Sequence, residues 1–104
     1  MTFIYVLRLT PEYELDENWS PETDRIINDH FDYLQKATEE GKAILVGRTD
    51  YETGHDDLFG IVVFEAEDEK AAHDFMMNDP SIVNGVMEGD LHPFSLALLR
   101  TAVE

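Results

Sequence analysis

Residues 3–9, FIYVLRL, form an apolar run rich in β-branched and aromatic side chains that only Arg8 interrupts. That composition predicts a strand covered on both faces. The following stretch, TPEYELDENW at residues 10–19, fits neither the helical nor the strand period and is expected to be a loop. Ser20 then stands as an N-cap with Pro21 at the first helical position and acids in the first turn, and Gly41 supplies a left-handed stop. Between them Ile27, Phe31, Leu34 and Thr38 recur at helical spacing, flanked by Ile26, His30, Tyr33 and Ala37. His30 falls on the border of that expected buried stripe.

A short strand, AILVG, is expected at residues 43–47, and the turn-rich YETGHDD at 51–57 separates it from the strongest strand signal, LFGIVVFEA at 58–66. Asp68 caps a second helix whose apolar positions are Ala71, Ala72, Phe75 and Met76. Pro80 disfavours helical geometry at Asp79, so the chain should turn there and start a short new helix. The last predicted strand is LHPFSLALL, 91–99, with His92, Phe94, Leu96 and Leu98 on one face and Ser95, Ala97 and Leu99 on the other. Strand, helix, strand, repeated twice, predicts an α+β fold: a ferredoxin-like split βαβ arrangement with an antiparallel sheet and both helices on one face. The other face would remain apolar and uncovered, and a second copy of the chain is its simplest cover, giving a homodimer through the open sheet face.

The 104 residues fit one domain, 1–104, and the 43% hydrophobic and 11% aromatic content is enough for a packed interior. Acidic residues outnumber basic ones 23 to 7, for a formal charge of −16. Nucleic acid and anionic membranes would be repelled at long range, so neither is an expected partner. The acids are spread through helices and loops and read as a solvated surface. Without cysteine, disulfides, thiol catalysis and thiolate ligands are excluded. No stretch has the length of a membrane span and MTFIYVLRLT lacks the features of a signal peptide, so a cytoplasmic location is expected.

No phosphate-binding glycine loop, HExxH or nucleophile elbow occurs, and no cofactor is expected. GHDD at 54–57 sets one histidine beside two acids without the convergent geometry a metal requires. His73 belongs on the polar side of the second helix. His30, Asp79 and His92 remain. A carboxylate accepting one imidazole N–H fixes the tautomer and supports the cation, which makes a general base. Read from the residues alone, the balance favours a hydrogen-bonded core histidine at position 30 and a turn opener at Asp79, and His92 fits an exposed edge residue. Arg8, a cation amid an apolar strand, needs either an exit to solvent or an anionic partner, such as a substrate carboxylate or enolate.

The segments HFDYLQKATEEGKAILVGRT, GIVVFEAEDEKAAHDFMMNDPSIVNG and DLHPFSLALL, in that order and preceded by FIYVLRLT, resemble the YCII-related (YciI-like) family. The resemblance implies a dimeric α+β barrel in which two subunits pack sheet against sheet. It further implies a cleft where a helix histidine and the aspartate of an Asp-Pro pair form an acid/base couple, which here are His30 and Asp79. The chain departs from the commonest pattern at VGRT, where Arg48 stands in place of a proline and reshapes the pocket, and in its acidic 10–20 segment, a candidate lid. The expected function is therefore proton transfer, in isomerisation or elimination, on a small aromatic or unsaturated compound. His30 and Asp79 are the candidate catalytic residues, and Arg8, Arg48 and His92 the candidate substrate-binding ones. The alternatives are a non-catalytic dimer that binds a small ligand as an accessory module and a purely structural interaction protein.

Overall fold

Four strands and three helices make up the computed structural model, which describes residues 1–100. They are β1 (Thr2–Leu9), α1 (Pro21–Glu39), β2 (Ala43–Arg48), β3 (Gly60–Glu65), α2 (Glu69–Met77), α3 (Pro80–Val83) and β4 (Met87–Pro93). The sheet runs β2-β3-β1-β4 with every neighbouring pair antiparallel, which is the expected ferredoxin-like order.

The alternation within β1 decides where the core lies. Phe3, Tyr5 and Leu7 point to the helical face and are buried. Their partners across the β3 ladder, Phe64, Val62 and Gly60, lie on the same face. Phe64 packs its ring 4.7 Å from Phe75 of α2 and 5.6 Å edge-on from Tyr5, and Leu34 and Ala37 of α1 complete this cluster. The opposite face carries Ile4, Val6, Ile61 and Leu45, none of them beneath a helix.

Helix α1 begins as the sequence predicts. The Ser20 hydroxyl accepts from the Thr23 N–H at 3.3 Å, and the Thr23 hydroxyl accepts from the Ser20 N–H at 3.2 Å. Two amide hydrogens that the first turn leaves free are thus satisfied. Ser20→Ala is expected to destabilise the fold by about 1 kcal/mol, read as a lower urea midpoint at unchanged slope. At the other end Gly41, with φ of +81°, takes the left-handed turn that leads into β2.

Three expectations need correction. The polar segment 10–19 is not featureless: Pro11–Glu14 and Asp16–Asn18 each wind one 3-10 turn. In α1 the buried row is Thr23, Ile26, Leu34 and Ala37, whereas Phe31 is 63% exposed. The Ile27 and Phe31 flank borders a cavity instead of packed side chains, so helical spacing located the apolar side but not its centre. The last strand runs over Met87–Pro93, not 91–99. It pairs with β1 from Leu9↔Met87 to Phe3↔Pro93, and Phe94 makes one further bond, from its N–H to the Thr2 carbonyl at 3.0 Å. β1 starts at Thr2, and residues 94–100 lie in no strand despite the apolar alternation of 94–99. At the near end Glu88 and Asp90 look unlike a strand, yet they take the solvent-facing side of an edge strand, where charge is favourable.

Candidate active site

Pro80 places the preceding residue in extended geometry, and Asp79 accordingly has φ of −62° and ψ of 124°. This aims its carboxylate back along α3, where Oδ1 accepts from the Ser81 N–H at 3.0 Å and the Ser81 hydroxyl at 2.8 Å. Asp79 is thus the helix cap that its sequence context suggests. The same Oδ1 also meets Nδ1 of His30 at 2.6 Å, while Oδ2 accepts from the Tyr5 hydroxyl at 2.8 Å. Three elements far apart in sequence, β1, α1 and α3, converge on one carboxylate that is wholly buried.

An ionised carboxylate only accepts hydrogen bonds, and this one already receives three O–H or N–H donors, so the His30 atom facing it is the protonated Nδ1. In the neutral ring Nε2 is then the free acceptor. The imidazole is 14% exposed and lines a cavity of about 490 Å³ between α1 and the inner face of the sheet. Burial alone would raise the Asp79 carboxyl. The hydrogen bond and positive charge of His30 outweigh it, with the Ser81 N–H and Tyr5 hydroxyl adding to them, and hold the group below its ordinary value. The Tyr5 hydroxyl is pushed the other way, first by burial and then by the neighbouring carboxylate, and remains a donor.

Tyr5 and Ser81 were not singled out from sequence. A tyrosine that alternates with Phe3 and Leu7 on a buried face needs a partner for its hydroxyl, and that was the available signal. Tyr5→Phe leaves Oδ2 of a buried carboxylate without its donor and is expected to cost about 1–3 kcal/mol in denaturant unfolding.

Most of the remaining cavity wall is apolar, with Leu7, Leu9, Ile27, Val46, Met87 and Trp19 contributing. Trp19 closes the acidic segment, and its indole N–H donates to the Tyr13 carbonyl at 2.8 Å. That segment packs against the 51–57 loop at Gly54, whose φ is +91° and where a β-carbon would sit 2.7 Å from the Glu14 carbonyl oxygen.

The structure separates the candidate substrate-binding residues. Arg48 lines the same cavity as His30. A bulge between Ala43 and Leu45 shifts the register of β2, so that Val46 and Arg48 oppose Val62 and Gly60 on the inner face. Arg8 and His92 lie on the other face of the sheet, in register with Glu88 and Ile4 respectively. Arg8 places its guanidinium 5.0 Å from the centre of the Phe59 ring, an arrangement that answers its need for a partner without an anion. Neither residue lines the His30 cavity. His55 stacks on Tyr51 at 4.1 Å and accepts from the Asp57 N–H, and His73 is exposed on α2. Among the described residues no helix is long and apolar enough to cross a membrane.

The four-stranded antiparallel sheet with its helices on one face defines a ferredoxin-like α+β protein, and a histidine–carboxylate pair stands at the edge of a cavity between the two layers. Residues 1–94 match the YCII-related domain, and the chain belongs to that family. Two solved structures share the fold. A 5-chloro-2-hydroxyhydroquinone dehydrochlorinase from Burkholderia phenoliruptrix, in complex with 2,5-dihydroxybenzoquinone, aligns at a TM-score of 0.63 and 22% identity over 93% of this chain and 96% of that one. A muconolactone isomerase aligns at a TM-score of 0.69 and 16% identity, covering 100% and 98% of the two chains. No curated protein matches the sequence.

Proposed function

We propose that the protein is a small cofactor-independent enzyme that moves a proton on a small aromatic or unsaturated compound. The observation that carries this reading is the 2.6 Å contact of His30 Nδ1 with buried Asp79 at the edge of an apolar cavity. His30 Nε2 removes a proton from a carbon made acidic by an adjacent carbonyl or ring. The resulting imidazolium is held by Asp79, which stays ionised throughout. Return of the proton to a different carbon completes an isomerisation, and departure of a leaving group completes an elimination. The fold is shared with a dehydrochlorinase and an isomerase, which supports both outcomes as a class of chemistry and neither as this protein's reaction.

The protein is further proposed to act as a homodimer. Ile4, Val6, Ile61 and Leu45 form the apolar part of the face with no helix over it, with Arg8, Glu88, Asp90 and His92 along its β4 side, and a second sheet would remove the apolar part from water.

The test is carbon-bound proton exchange. Unsaturated lactones, cyclic enones and hydroxylated quinones, including the dihydroxybenzoquinone bound by the dehydrochlorinase, are incubated with protein in D2O and followed by NMR. Deuterium uptake that depends on His30 supports the reading, and it reveals proton abstraction even where no net product accumulates. Uptake undiminished in His30→Ala refutes it. A compound that binds in the cavity but exchanges no proton favours a ligand-binding accessory protein instead.

A further inference from the structure

The cavity that holds His30 contains one permanent cation. Arg48 takes the inner-face register of β2 because of the bulge, opposite Gly60, and lines that cavity. Most other basic side chains near a neighbour have a partner. Arg25 is bound by Glu22 and Asp29, Lys70 by Asp74, and Arg8 and Lys42 lie over the Phe59 and Phe75 rings. Arg48 is different. Its one hydrogen bond runs from Nη1 to the Tyr51 carbonyl at a long 3.4 Å, and no carboxylate among the described residues lies within 4.0 Å of it. Arg48 also lines a neighbouring surface hollow together with Asp16, Asp50 and Glu52, yet it forms no ion pair with any of them. An exposed guanidinium with no carboxylate partner, where the apolar cavity meets this hollow, is placed to receive an anion from outside.

We infer that the substrate is itself an anion, a small planar carboxylate or ionised phenol, with its charge on Arg48 and its ring against the apolar wall. The inference rests on the cavity being the substrate site, and it assigns the ligand's charge and orientation, which the His30–Asp79 pair alone leaves open. A carboxylate matches the planar fork of arginine with two parallel hydrogen bonds, and the surrounding Leu9, Val46, Met87 and Trp19 accept an aromatic or unsaturated body. At about 490 Å³ the cavity lies within the range of ordinary small-molecule sites. The net charge of −16 does not draw anions to the protein from a distance. Selection of an anion therefore depends on this one local cation. Arg48 is a binding and specificity residue, separate from the proton-transfer pair.

The test measures binding, not turnover, so that it stands apart from the proposed chemistry. Benzoate and cinnamate are compared with the neutral isosteres benzamide and cinnamamide, using amide and imidazole NMR shifts of the wild type, Arg48→Gln and Arg48→Lys. The expected result is that the carboxylates bind the wild type roughly tenfold or more tightly than the amides. Arg48→Gln should remove that preference by weakening carboxylate binding far more than amide binding, and Arg48→Lys should restore part of it. Arg48 is exposed and makes a single long hydrogen bond, so its replacement leaves the fold intact, which the spectrum of Arg48→Gln checks directly. Equal binding of acid and amide, an acid preference that survives in Arg48→Gln, or no binding of either series at millimolar concentration overturns the inference. Preserved anion selectivity with no His30-dependent deuterium exchange would instead sink the catalytic reading alone.

Discussion

His30→Ala is expected to lower the rate of base-catalysed proton exchange by roughly 10² to 10⁴, the usual contribution of a positioned general base. The affinity for a non-reacting carboxylate should change far less, since the charge contact assigned to Arg48 is untouched. The mutation removes Nε2, the ring nitrogen not bound to Asp79, from a histidine that lines the cavity, and replaces a side chain that is only 14% exposed with a void beside Asp79. His30→Gln is the better-filled control: it can still donate to Oδ1 but carries no basic nitrogen. Loss of exchange in both variants, with folded spectra, would place the effect on the base. Recovery of the rate in His30→Gln would reduce His30 to a hydrogen-bonding residue.

Asp79→Ala is expected to destabilise the protein by about 3–5 kcal/mol, the cost of removing one partner from a buried charged network. Four hydrogen bonds are lost together, from His30, Tyr5, and the N–H and hydroxyl of Ser81. Three of those donors stay behind in places that water reaches poorly, and α3 loses its cap. Urea unfolding followed by Trp19 fluorescence reads the change. Asp79→Asn separates the roles, because the amide oxygen can still accept from Ser81 while the negative charge that supports the imidazolium is gone. Its stability loss should therefore be smaller than that of the alanine variant, with the loss of exchange rate remaining large. An Asp79→Ala protein as stable as the wild type would contradict the network itself.

The same carboxylate sets a pH dependence with a definite sign. Its folded value is held below the ordinary 3.8, so the unfolded chain takes up the proton first as the solution is acidified. The stabilisation it contributes is fully present above that ordinary value and is lost as pH falls through the lower, folded one. In Asp79→Asn the acid-unfolding curve should lose the part of its steepness that lies below pH 3.8.

Local order was legible in the sequence because its causes are local. Hydrophobic period, the Ser20 and Asp68 caps, the Gly41 stop and the Asp79-Pro80 break each act over a few residues, and together they determined the strand and helix order and hence the α+β class. The apolar residues of β1 on both faces likewise implied a sheet with one uncovered side.

Proximity was another matter, since it depends on packing between elements. His30 was readable as a borderline helix position and Asp79 as a turn residue, but only the docking of α1 against α3 brings them to 2.6 Å. Tyr5 read as one more aromatic in a strand until its hydroxyl was found on the same carboxylate. The arginines make the point most clearly: Arg8 and Arg48 look alike as isolated cations near strand ends. Side chains alternate with period two, so the single extra residue at the Ala43–Leu45 bulge turns Arg48 toward the cavity, while the uninterrupted ladder of β1 leaves Arg8 on the opposite face. The end of β4 was hidden for a related reason, because a strand stops where its partner does and not where its own alternation ends. The sequence by itself determined which elements form and which residues have the chemistry to act. Register and helix docking, which sum contacts from the whole chain, decided which of those residues meet.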